Sequence, residues 1–434
     1  MAKKIEISSI MAGICEHQIF KVLNAQIYEK KKENLYLPVP KGKELLRIRS
    51  YLPRHIAETV KISELKEIYQ QLQTDERFEL PYDAVTHPHL MMTDNGIVDV
   101  RSAKFVEEDK HLFIHANNFS YEEKASWEEC PNFAKMIETS GFTEADRTLL
   151  LETIGFTISE CIGAKAAIFY VGPPDCGKSV LLNFIGRVVG EDYTTAIPLN
   201  KLAGKFNKAR LATSCVNICT EISSGKMTDV EIFKAITSND RIMGEHKGEA
   251  PFEFTVTTKL IFSGNMLPVF PELEGADALL KRFVILKFPR SVAEKDLELG
   301  EKLWQERDVI CSLAIKELKH LIARKFSFTE PEAVKNIKEE MKAELNMFDS
   351  FIEEKCEFDP AGKIHFIRLW DSFQDFCRGN GFDLDISKQQ FSQRIGSIKG
   401  VKHSRFRLNG ESLRGFEGIR LKEEIIWMQP DSGK

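Results

Sequence analysis

The segment FYVGPPDCGKSVLLNF, residues 169–184, constrains the fold of this 434-residue chain more than any other. Ala166–Val171 is a short apolar run that ends at a glycine, which is typical of a buried strand. Apolar residues then recur at helical spacing from Val180 to Val189, and Gly190 follows where such a helix would end. The sequence therefore predicts a strand, a glycine-rich loop and a helix in immediate succession.

The loop has the spacing GxxxxGKS, which suits the binding of phosphate. Gly172 and Gly177 leave room for backbone N–H groups to converge on phosphate oxygens, and the N-terminus of the next helix adds partial positive charge. Lys178 is expected to reach the β- and γ-phosphates of a nucleotide, and Ser179 to ligate Mg²⁺. A chance match in a glycine turn is the alternative, which the flanking elements disfavour. The predicted nucleotide-binding residues are Gly172, Pro173, Pro174, Asp175, Cys176, Gly177, Lys178 and Ser179.

Apolar strands continue to alternate with helices from residue 166 to about residue 288, as in an α/β sheet. Leu211–Ile222 reads as a second strand that ends in a lone acid, Glu221. A carboxylate at the tip of a neighbouring strand can face the metal and the attacking water, and a solvated carboxylate is the alternative. Residues 259–265 read as a third strand ending in Asn265. An amide there can orient water beside the γ-phosphate, although an asparagine in SGN is more often a turn residue.

An arginine precedes the fourth apolar strand. Within LLKRFVILKFP, Arg282 comes immediately before the run of apolar residues. Such an arginine is either a surface residue or a finger that reaches the nucleotide of a neighbouring subunit. The residues by themselves leave both alternatives open.

Four blocks of sequence together resemble one protein family. GPPDCGKS, CVNICTEI, ITSNDRIMGEHKGEAPFEFTVTTKLIFSGNMLP and KRFVILKFP follow one another within residues 172–289. They are similar to the superfamily 3 helicases, most closely to the helicase half of phage, plasmid and satellite primase-helicases. Members of this family form AAA+-type hexameric rings that move along single-stranded DNA. The resemblance implies a helicase that uses ATP and Mg²⁺ and moves with 3′ to 5′ polarity.

The resemblance also assigns roles to single residues. Lys178 and Ser179 match the phosphate loop, and Glu221 matches the Walker B acid, so Ser179 and Glu221 are the expected metal-holding residues. Asn265 matches the sensor beside the γ-phosphate. Arg282 matches the arginine finger, which completes the catalytic site of the next subunit. The expected catalytic residues are Lys178, Glu221, Asn265 and Arg282.

The stretch Arg241–Phe254 resembles the hairpin that lines the pore of these rings. Glu245-His246-Lys247-Gly248 would form its tip, and His246 and Lys247 would contact DNA there. A turn that carries a cation and is followed by a glycine is suited to binding the phosphates of a DNA backbone. The family often has a pair of glycines before the aspartate, where this chain has Ser238-Asn239-Asp240.

The C-terminal part of the chain is basic, although the whole chain has a net charge of −5. Nine Lys or Arg and two acids fall between Lys388 and Lys422, a local net charge of +7. This distribution is expected of a protein that touches nucleic acid with one end. A helix over 364–378, a second helix capped by Ser387 and a hairpin around Asn409-Gly410 give the layout of a winged helix, which also caps many members of the resembled family.

A winged helix predicts which side chains meet duplex DNA. The second helix would present three side chains to a major groove, namely Gln389, Gln393 and Arg394. The hairpin would present three to the DNA backbone, namely Arg405, Arg407 and Arg414. A winged helix used for protein contact is the alternative. The first helix is expected to turn four apolar side chains inward, namely Ile367, Trp370, Phe373 and Phe376.

The expected fold class is α/β, a P-loop AAA+-type ATPase core with a helical collar and a C-terminal winged helix. Three domains are expected. Residues 1–125 form an N-terminal α/β accessory region, residues 126–345 the collar and helicase ATPase domain, and residues 346–434 the winged helix. No pair of metal-binding acids in a strand context precedes the loop, so a primase would be a separate protein.

The sequence predicts a cytoplasmic location in a bacterial host and no membrane contact. No apolar run approaches the ~18 residues of a membrane-spanning helix. Glu6, Glu16 and His17 interrupt the N-terminal stretch, which therefore lacks the apolar core of a signal peptide. The nine cysteines lie without CxxC pairs inside apolar segments and are expected to be reduced.

The expected function is that of an ATP-dependent DNA helicase and replication initiator of a phage or mobile element. Its partners would be single-stranded DNA in the pore of a homo-hexamer, duplex origin DNA on the winged helix, and a separate primase. One alternative is an origin-binding or packaging-type ATPase that does not unwind DNA. The other is a small-molecule P-loop kinase, which would need neither a winged helix nor Arg282 in trans and would not respond to DNA.

Overall fold

The computed structural model describes the chain in ten stretches. They are residues 7–23, 26–81, 84–107, 110–220, 229–248, 250–268, 279–292, 294–380, 386–408 and 411–422.

Two small antiparallel sheets and four helices form the N-terminal region. The helices pack on the first sheet around a core that includes Phe20, Ile48 and Ile68. Asn95-Gly96 reverses the chain between two strands of the second sheet, and the Asn95 amide oxygen accepts a hydrogen bond from the backbone of Tyr121 at 2.9 Å. The elements are α1 (Ile7–Glu16), β1 (Phe20–Leu23), β2 (Gln26–Lys32), β3 (Leu35–Pro38), α2 (Glu44–Ser50), α3 (Arg54–Ala57), α4 (Ile62–Thr74), β4 (Leu90–Thr93), β5 (Gly96–Asp99) and β6 (Lys104–Phe105).

A five-stranded parallel sheet lies at the centre of the molecule and confirms the predicted α/β class. Its strands are β7 (Ala167–Val171), β8 (Thr194–Thr195), β9 (Val216–Cys219), β12 (Lys259–Gly264) and β13 (Phe283–Lys287), with β10 (Arg241–Gly244) and β11 (Phe252–Thr255) forming a separate hairpin. The order across the sheet is β13-β7-β12-β9-β8, with every neighbouring pair parallel. All five strands therefore end at one edge, the carboxyl edge, and begin at the other, the amino edge.

Two predictions about the strands need correction. Leu211–Ile222 was predicted to be one strand, but Leu211 is the last residue of a helix and β9 covers only four residues, because a turn separates two apolar segments that are adjacent in sequence. The strand that ends before Glu221 was predicted to neighbour the loop strand. Instead β12, which ends just before Asn265, lies between β7 and β9.

Helices cover both faces of the sheet. Alternate residues of β7 enter two separate cores, with Ile168 and Tyr170 in one and Ala167 and Phe169 in the other. The helices are α5 (Pro131–Ser140), α6 (Glu144–Ile158), α7 (Lys178–Val189), α8 (Lys205–Leu211), α9 (Val230–Thr237), α10 (Leu299–Gln305) and α11 (Arg307–Ala323).

One long helix, α12 (Glu332–Lys355), joins the sheet to the C-terminal unit. Val334 at its start packs in a core of the sheet, and Phe348 and Phe351 near its end pack in the C-terminal core. The expected boundary between residues 345 and 346, where the ATPase domain was to end and the winged helix to begin, falls inside this helix. The C-terminal unit contains β14 (Cys356–Glu357), β15 (Lys363–His365), α13 (Phe366–Asn380), α14 (Lys388–Ile395), β16 (Lys402–Leu408), β17 (Glu411–Glu417) and β18 (Arg420–Leu421).

The C-terminal unit has a three-stranded antiparallel sheet in the order β15-β17-β16. Its core includes Trp370, Phe373 and Phe376, as predicted. Ile367, which was predicted to face inward, is 55% exposed, because α13 buries Leu369 on the facing side instead. None of the helices in the described stretches has the length and apolar character needed to cross a bilayer.

Candidate functional site

A cleft with an empty volume of about 1020 Å³ opens at the carboxyl edge of the sheet. Loop residues 174–180 line one side, and Thr220 and residues 263–265 line the other at the tips of β9 and β12. The structure therefore brings Asn265 together with Lys178 and Ser179 at one cleft. Glu221 follows Thr220 directly and lies outside the described residues.

The glycine-rich loop, residues 172–177, connects β7 to α7. A Cβ at Gly172 would lie 2.6 Å from the backbone oxygen of Phe288, so glycine is needed there for contact with the end of β13. The sequence had assigned this glycine to the approach of phosphate. Asp175 and Gly177 have φ values of +57° and +95°. These left-handed residues curl the loop so that the first turn of α7, which has no side-chain cap, opens into the cleft.

Lys178 lies inside this curl and is 8% exposed. Its ammonium donates hydrogen bonds to the backbone oxygens of Gly172 at 2.8 Å and Pro173 at 2.6 Å, and to Sγ of Cys176 at 3.2 Å. Phosphate oxygens are stronger acceptors for an ammonium than peptide oxygens or a thiol. A phosphate in the cleft can therefore draw the ammonium away from the loop.

The cleft also offers oxygen donors that suit Mg²⁺. Ser179 is exposed on the first turn of α7, and Thr220 is exposed opposite it. Mg²⁺ prefers oxygen ligands, keeps several waters, and is often held by one or two protein groups together with substrate phosphates. Ser179 and Thr220 fit such a site, and Glu221 would add the carboxylate that the sequence predicts.

Residues after β13 hold the loop, and no sequence motif marks them. The backbone of Val292 donates to Asp175 at 3.0 Å, and the Ser291 hydroxyl donates to the backbone oxygen of Pro174 at 2.7 Å. Lys295 forms an ion pair of 2.8 Å with the Asp175 carboxylate. This carboxylate is therefore turned toward Lys295 at the outer side of the loop.

Arg282 does not join the cleft of its own chain. Phe283 pairs with Ala167 at the start of β7, and the backbone oxygen of Arg282 accepts from Ala167 at 2.7 Å. Arg282 therefore lies at the amino edge, about 20 Å from the loop at the strand rise of about 3.3 Å per residue. Its guanidinium donates from Nη1 to the hydroxyls of Thr237 at 3.0 Å and Ser238 at 2.9 Å.

The predicted pore hairpin is present as β10 and β11, and it also extends from the amino edge. Arg241 pairs with Thr255 at its base and Gly244 with Phe252 near its tip. Lys247 is exposed at the tip, whereas the ring of His246 stacks on Phe252 with 5.2 Å between ring centroids.

The departure from the family at the start of the hairpin has a structural explanation. Asn239 has a φ of +59°, a conformation that glycine adopts most easily and that asparagine also tolerates. Its side chain donates to the backbone oxygen of Val256 at 2.9 Å and accepts from the backbone of Gly163 at 2.8 Å. The asparagine thus makes the turn of a glycine and adds two bonds that fix the base of the hairpin.

Helix α8 lies against the hairpin and was missed as a candidate surface. Lys205 forms an ion pair of 3.0 Å with Glu245, whose backbone also donates to the Lys205 oxygen. Phe206 is 46% exposed beside it. The signal was visible in the sequence, because KLAGKFNKAR, residues 201–210, contains four basic residues and one phenylalanine. Such spacing is typical of single-strand binding surfaces.

The C-terminal unit presents most of the predicted DNA-contacting side chains at its surface. The Ser387 hydroxyl accepts from the backbone of Gln390 and caps α14, as predicted. Gln389 on the first turn is exposed and Gln393 is half-buried. Arg405 pairs directly with Arg414 across the hairpin, and Arg407 follows two residues later on the same face. These three arginines are exposed and are called the arginine cluster below.

The structure corrects the prediction for one residue of this set, Arg394. It was expected to face a major groove, but its guanidinium lies over the ring of Phe348, 4.9 Å from the centroid. The charge of Arg394 also acts on the nearby carboxyl of Asp349, where burial is the stronger influence and raises the pKa. Arg394 therefore ties α14 to α12 inside the C-terminal unit.

A second cavity lies near the amino edge, between the sheet and the N-terminal region. Glu160 and Lys259 both line it, together with Tyr28. Burial raises the pKa of Glu160 to about 7 and lowers the pKa of Lys259, and each charge partly offsets the shift of the other. The backbone of His87 donates to Glu160 at 3.3 Å.

One protein family and several solved structures are similar to parts or most of the chain. A family described as "Family of unknown function (DUF5906)" matches residues 170–282, less than half of the chain. No curated protein matches the chain. Two solved structures of the C-terminal region of NrS-1, both in the A form and apo, are similar to it. One is 12% identical and covers 94% of this chain and 99% of that chain, with a TM-score of 0.46. The other is 11% identical and covers 95% and 100%, with a TM-score of 0.45. A likeness of this degree carries no functional argument.

Proposed function

We propose that the chain is an ATP-dependent DNA helicase of the superfamily 3, AAA+ type, which acts in the replication of a phage or other mobile element. The proposal rests on one observation, the presence of two different devices at opposite edges of one sheet. The carboxyl edge has the cleft with Lys178, Ser179 and Asn265. The amino edge has a hairpin with an exposed lysine, Lys247, at its tip. A small-molecule kinase would use the first device but has no need of the second.

Hydrolysis in the cleft follows from the chemistry of its side chains. Lys178 would hold the β- and γ-phosphates of ATP, and Ser179 would hold Mg²⁺ together with Glu221. The metal supplies charge neutralisation at the phosphates when bound. Asn265 would orient the attacking water with its amide, and Glu221 would accept a proton from that water.

The position of Arg282 supports a ring. A guanidinium about 20 Å from its own cleft can act in catalysis only at the cleft of another subunit. A closed ring gives every cleft such a neighbour, and the resembled family forms hexamers. We therefore propose a homo-hexamer in which each Arg282 serves the next subunit.

DNA would meet two surfaces. Single-stranded DNA would pass the hairpin tip, where Lys247 and His246 contact phosphate and Phe206 of α8 offers a ring for stacking. Duplex origin DNA would meet the C-terminal unit as a winged helix, at Gln389, Gln393 and the arginine cluster. A primase, where one is needed, would be a separate protein.

An ATPase assay with and without single-stranded DNA, combined with strand displacement from a forked duplex, tests this proposal. We expect hydrolysis that DNA stimulates and release of the displaced strand. DNA-stimulated hydrolysis without strand release would favour an origin-binding or packaging-type ATPase. Hydrolysis that is indifferent to DNA, or no hydrolysis, would overturn the helicase assignment.

A further inference from the structure

Arg282 docks on the base of the hairpin of its own subunit. Thr237 is the last residue of α9 and Ser238 follows it, three residues before β10 begins the hairpin. The Thr237 hydroxyl donates to the backbone oxygen of Phe233 at 2.9 Å, so its lone pairs remain for Nη1 of Arg282. The same Nη1 donates to the Ser238 hydroxyl. One guanidinium group thereby contacts the segment that leads into the hairpin.

This docking is incomplete in charge and in hydrogen bonding. Within the described stretches, no carboxylate lies within ion-pair distance of the Arg282 guanidinium, although the charge of Asp240 acts on it from further away. Burial lowers the pKa of Arg282. Nε is buried and has no hydrogen-bond partner among the described residues. The half-buried guanidinium has thus lost part of its hydration without a carboxylate at ion-pair distance among the described residues, which is unfavourable for a cation.

We propose that Thr237 and Ser238 are positioning residues that hold Arg282 at the base of its own hairpin and release it to the nucleotide of the neighbouring subunit. The inference rests on the proposed function, which makes Arg282 an arginine finger. Neutral hydroxyls hold a guanidinium less strongly than phosphate oxygens do. The arrival of a neighbour's triphosphate therefore draws Arg282 away, and the base of the hairpin loses its anchor at the same moment. A carboxylate in place of the hydroxyls would trap the finger.

Ser238→Asp tests the inference directly. The new carboxylate lies beside Nη1 and holds Arg282 in its own subunit, so we expect ATP hydrolysis to fall by about tenfold or more. Lys281→Ala is the matched control, because Lys281 is the exposed neighbour of Arg282. Its rate of hydrolysis is expected to stay at the wild-type level.

Mixing experiments separate a trapped finger from a misfolded subunit. A mixture of Ser238→Asp and Lys178→Ala subunits should recover hydrolysis. In this mixture the Ser238→Asp subunit supplies an intact loop and the Lys178→Ala subunit supplies a free Arg282. Mixed with Arg282→Ala subunits, they should not recover, because neither subunit then supplies a free finger. Recovery in both mixtures, or in neither, would overturn the docking inference. A wild-type rate for Ser238→Asp alone would overturn it as well.

The opposite change releases the finger. Thr237→Val with Ser238→Ala removes both acceptors, so hydrolysis without DNA should rise severalfold while the stimulation by single-stranded DNA falls toward none. A variant that keeps the wild-type stimulation would contradict the inference.

The mixture of Lys178→Ala with Arg282→Ala tests the proposed function separately. If this mixture does not recover hydrolysis although the subunits are shown to exchange, Arg282 is not an arginine finger and the proposed function fails. If the mixture recovers hydrolysis but Ser238→Asp alone has the wild-type rate, only the docking inference fails.

Discussion

The two edges of the central sheet place their cationic side chains in different surroundings. At the carboxyl edge, Lys178 is held by backbone oxygens of a loop that borders an open cleft. At the amino edge, Arg282 is held by two hydroxyls, and Lys259 is almost fully buried beside a cavity. The first edge is arranged to receive an anion from solution. At the second edge these two cations make internal contacts, and the contacts of Arg282 lie at the base of the hairpin.

Under the proposed function, this difference would separate ATP hydrolysis at the carboxyl edge from the movement of DNA at the amino edge. The strands that join the two edges are only two to six residues long, yet the cleft lies about 20 Å from Arg282. No single side chain spans that distance. Under the proposed function, events in a cleft would therefore reach the hairpin through the backbone of the sheet or through the Arg282 of a neighbouring subunit. Lys178→Ala removes a cation from the carboxyl edge, and Lys247→Ala removes one from the amino edge.

The largest effect is expected at the carboxyl edge. Lys178→Ala removes the ammonium that contacts the loop oxygens and that would hold the phosphates, so ATP hydrolysis should fall by about a hundredfold or more. Duplex DNA binding should remain, because the arginine cluster belongs to the C-terminal unit. Lys165→Ala, an exposed residue just before β7, is the control. Hydrolysis by Lys178→Ala at a near wild-type rate would disprove the assignment of the loop.

The next effect isolates the amino edge. Lys247→Ala removes an exposed cation from the hairpin tip but no group from the cleft. Strand displacement should fall by about tenfold or more and DNA stimulation of hydrolysis should fall with it, whereas basal hydrolysis should persist. His246→Ala should have a weaker effect, because a mostly neutral imidazole grips phosphate less firmly.

Arg241→Ala is the matched control on the same hairpin. Arg241 lies at the base and pairs with Glu253 at 3.0 Å, so its loss should leave strand displacement nearly unchanged. Displacement by Lys247→Ala at the wild-type rate would place Lys247 on an ordinary solvated turn. The division between the two edges would then have no mechanical meaning.

Local patterns predicted the elements of both edges, and tertiary contacts decided what the patterns could not. The glycine loop, the Asn95-Gly96 turn and the Ser387 cap depend on residues within a few positions of each other, and the structure contains all three. Leu211 shows the limit of this approach. Apolar residues end α8 and begin β9 a few positions apart, so the pattern could not separate the two elements.

Contacts between distant segments account for the remaining corrections. Arg394 looks like a groove-facing residue on its own helix, but α12 brings Phe348 beneath it. Gly172 looks like a phosphate-binding glycine, but Phe288 approaches it more closely than a Cβ would allow. The hold of Thr237 and Ser238 on Arg282 joins positions 45 and 44 residues apart. No pattern within one segment could indicate any of these contacts.

A smaller effect is expected for duplex DNA binding, which tests whether the amino edge is the only DNA surface. Replacing the arginine cluster (Arg405, Arg407 and Arg414) by alanine should weaken duplex binding by roughly tenfold. The slope of log affinity against log salt should decrease by roughly 2 to 3, one phosphate contact for each residue. Measurements at several salt concentrations check both. An unchanged slope would assign the C-terminal unit to protein contact.

Arg394→Ala is the contrasting variant in the same unit. Its guanidinium covers Phe348, and such a contact contributes about 0.5–2 kcal/mol. The midpoint of thermal unfolding should therefore decrease, while the affinity for DNA and its salt dependence stay at wild-type values below that temperature. A loss of DNA affinity with unchanged stability would return Arg394 to the DNA surface.

The dependence of stability on pH concerns the buried charges near the amino edge. Burial raises the pKa of Glu160 from an ordinary value near 4.5 to about 7, so the folded protein binds this proton more tightly than the unfolded chain does. The contribution of Glu160 to stability is therefore fully present below about pH 4.5. It is lost as the pH rises through about 7 and the buried carboxyl ionises.

Glu160→Gln should remove this dependence, because the amide stays neutral and can still accept from the backbone of His87. Between pH 5 and pH 8, the free energy of unfolding of the wild type should decrease relative to the variant by roughly 1–3 kcal/mol. Glu191→Gln, at an exposed position, should run parallel to the wild type over the same range. Denaturant titrations at the two pH values measure the difference. Parallel behaviour of Glu160→Gln and wild type would mean that water reaches Glu160, and the amino edge would then be as open to solvent as the carboxyl edge.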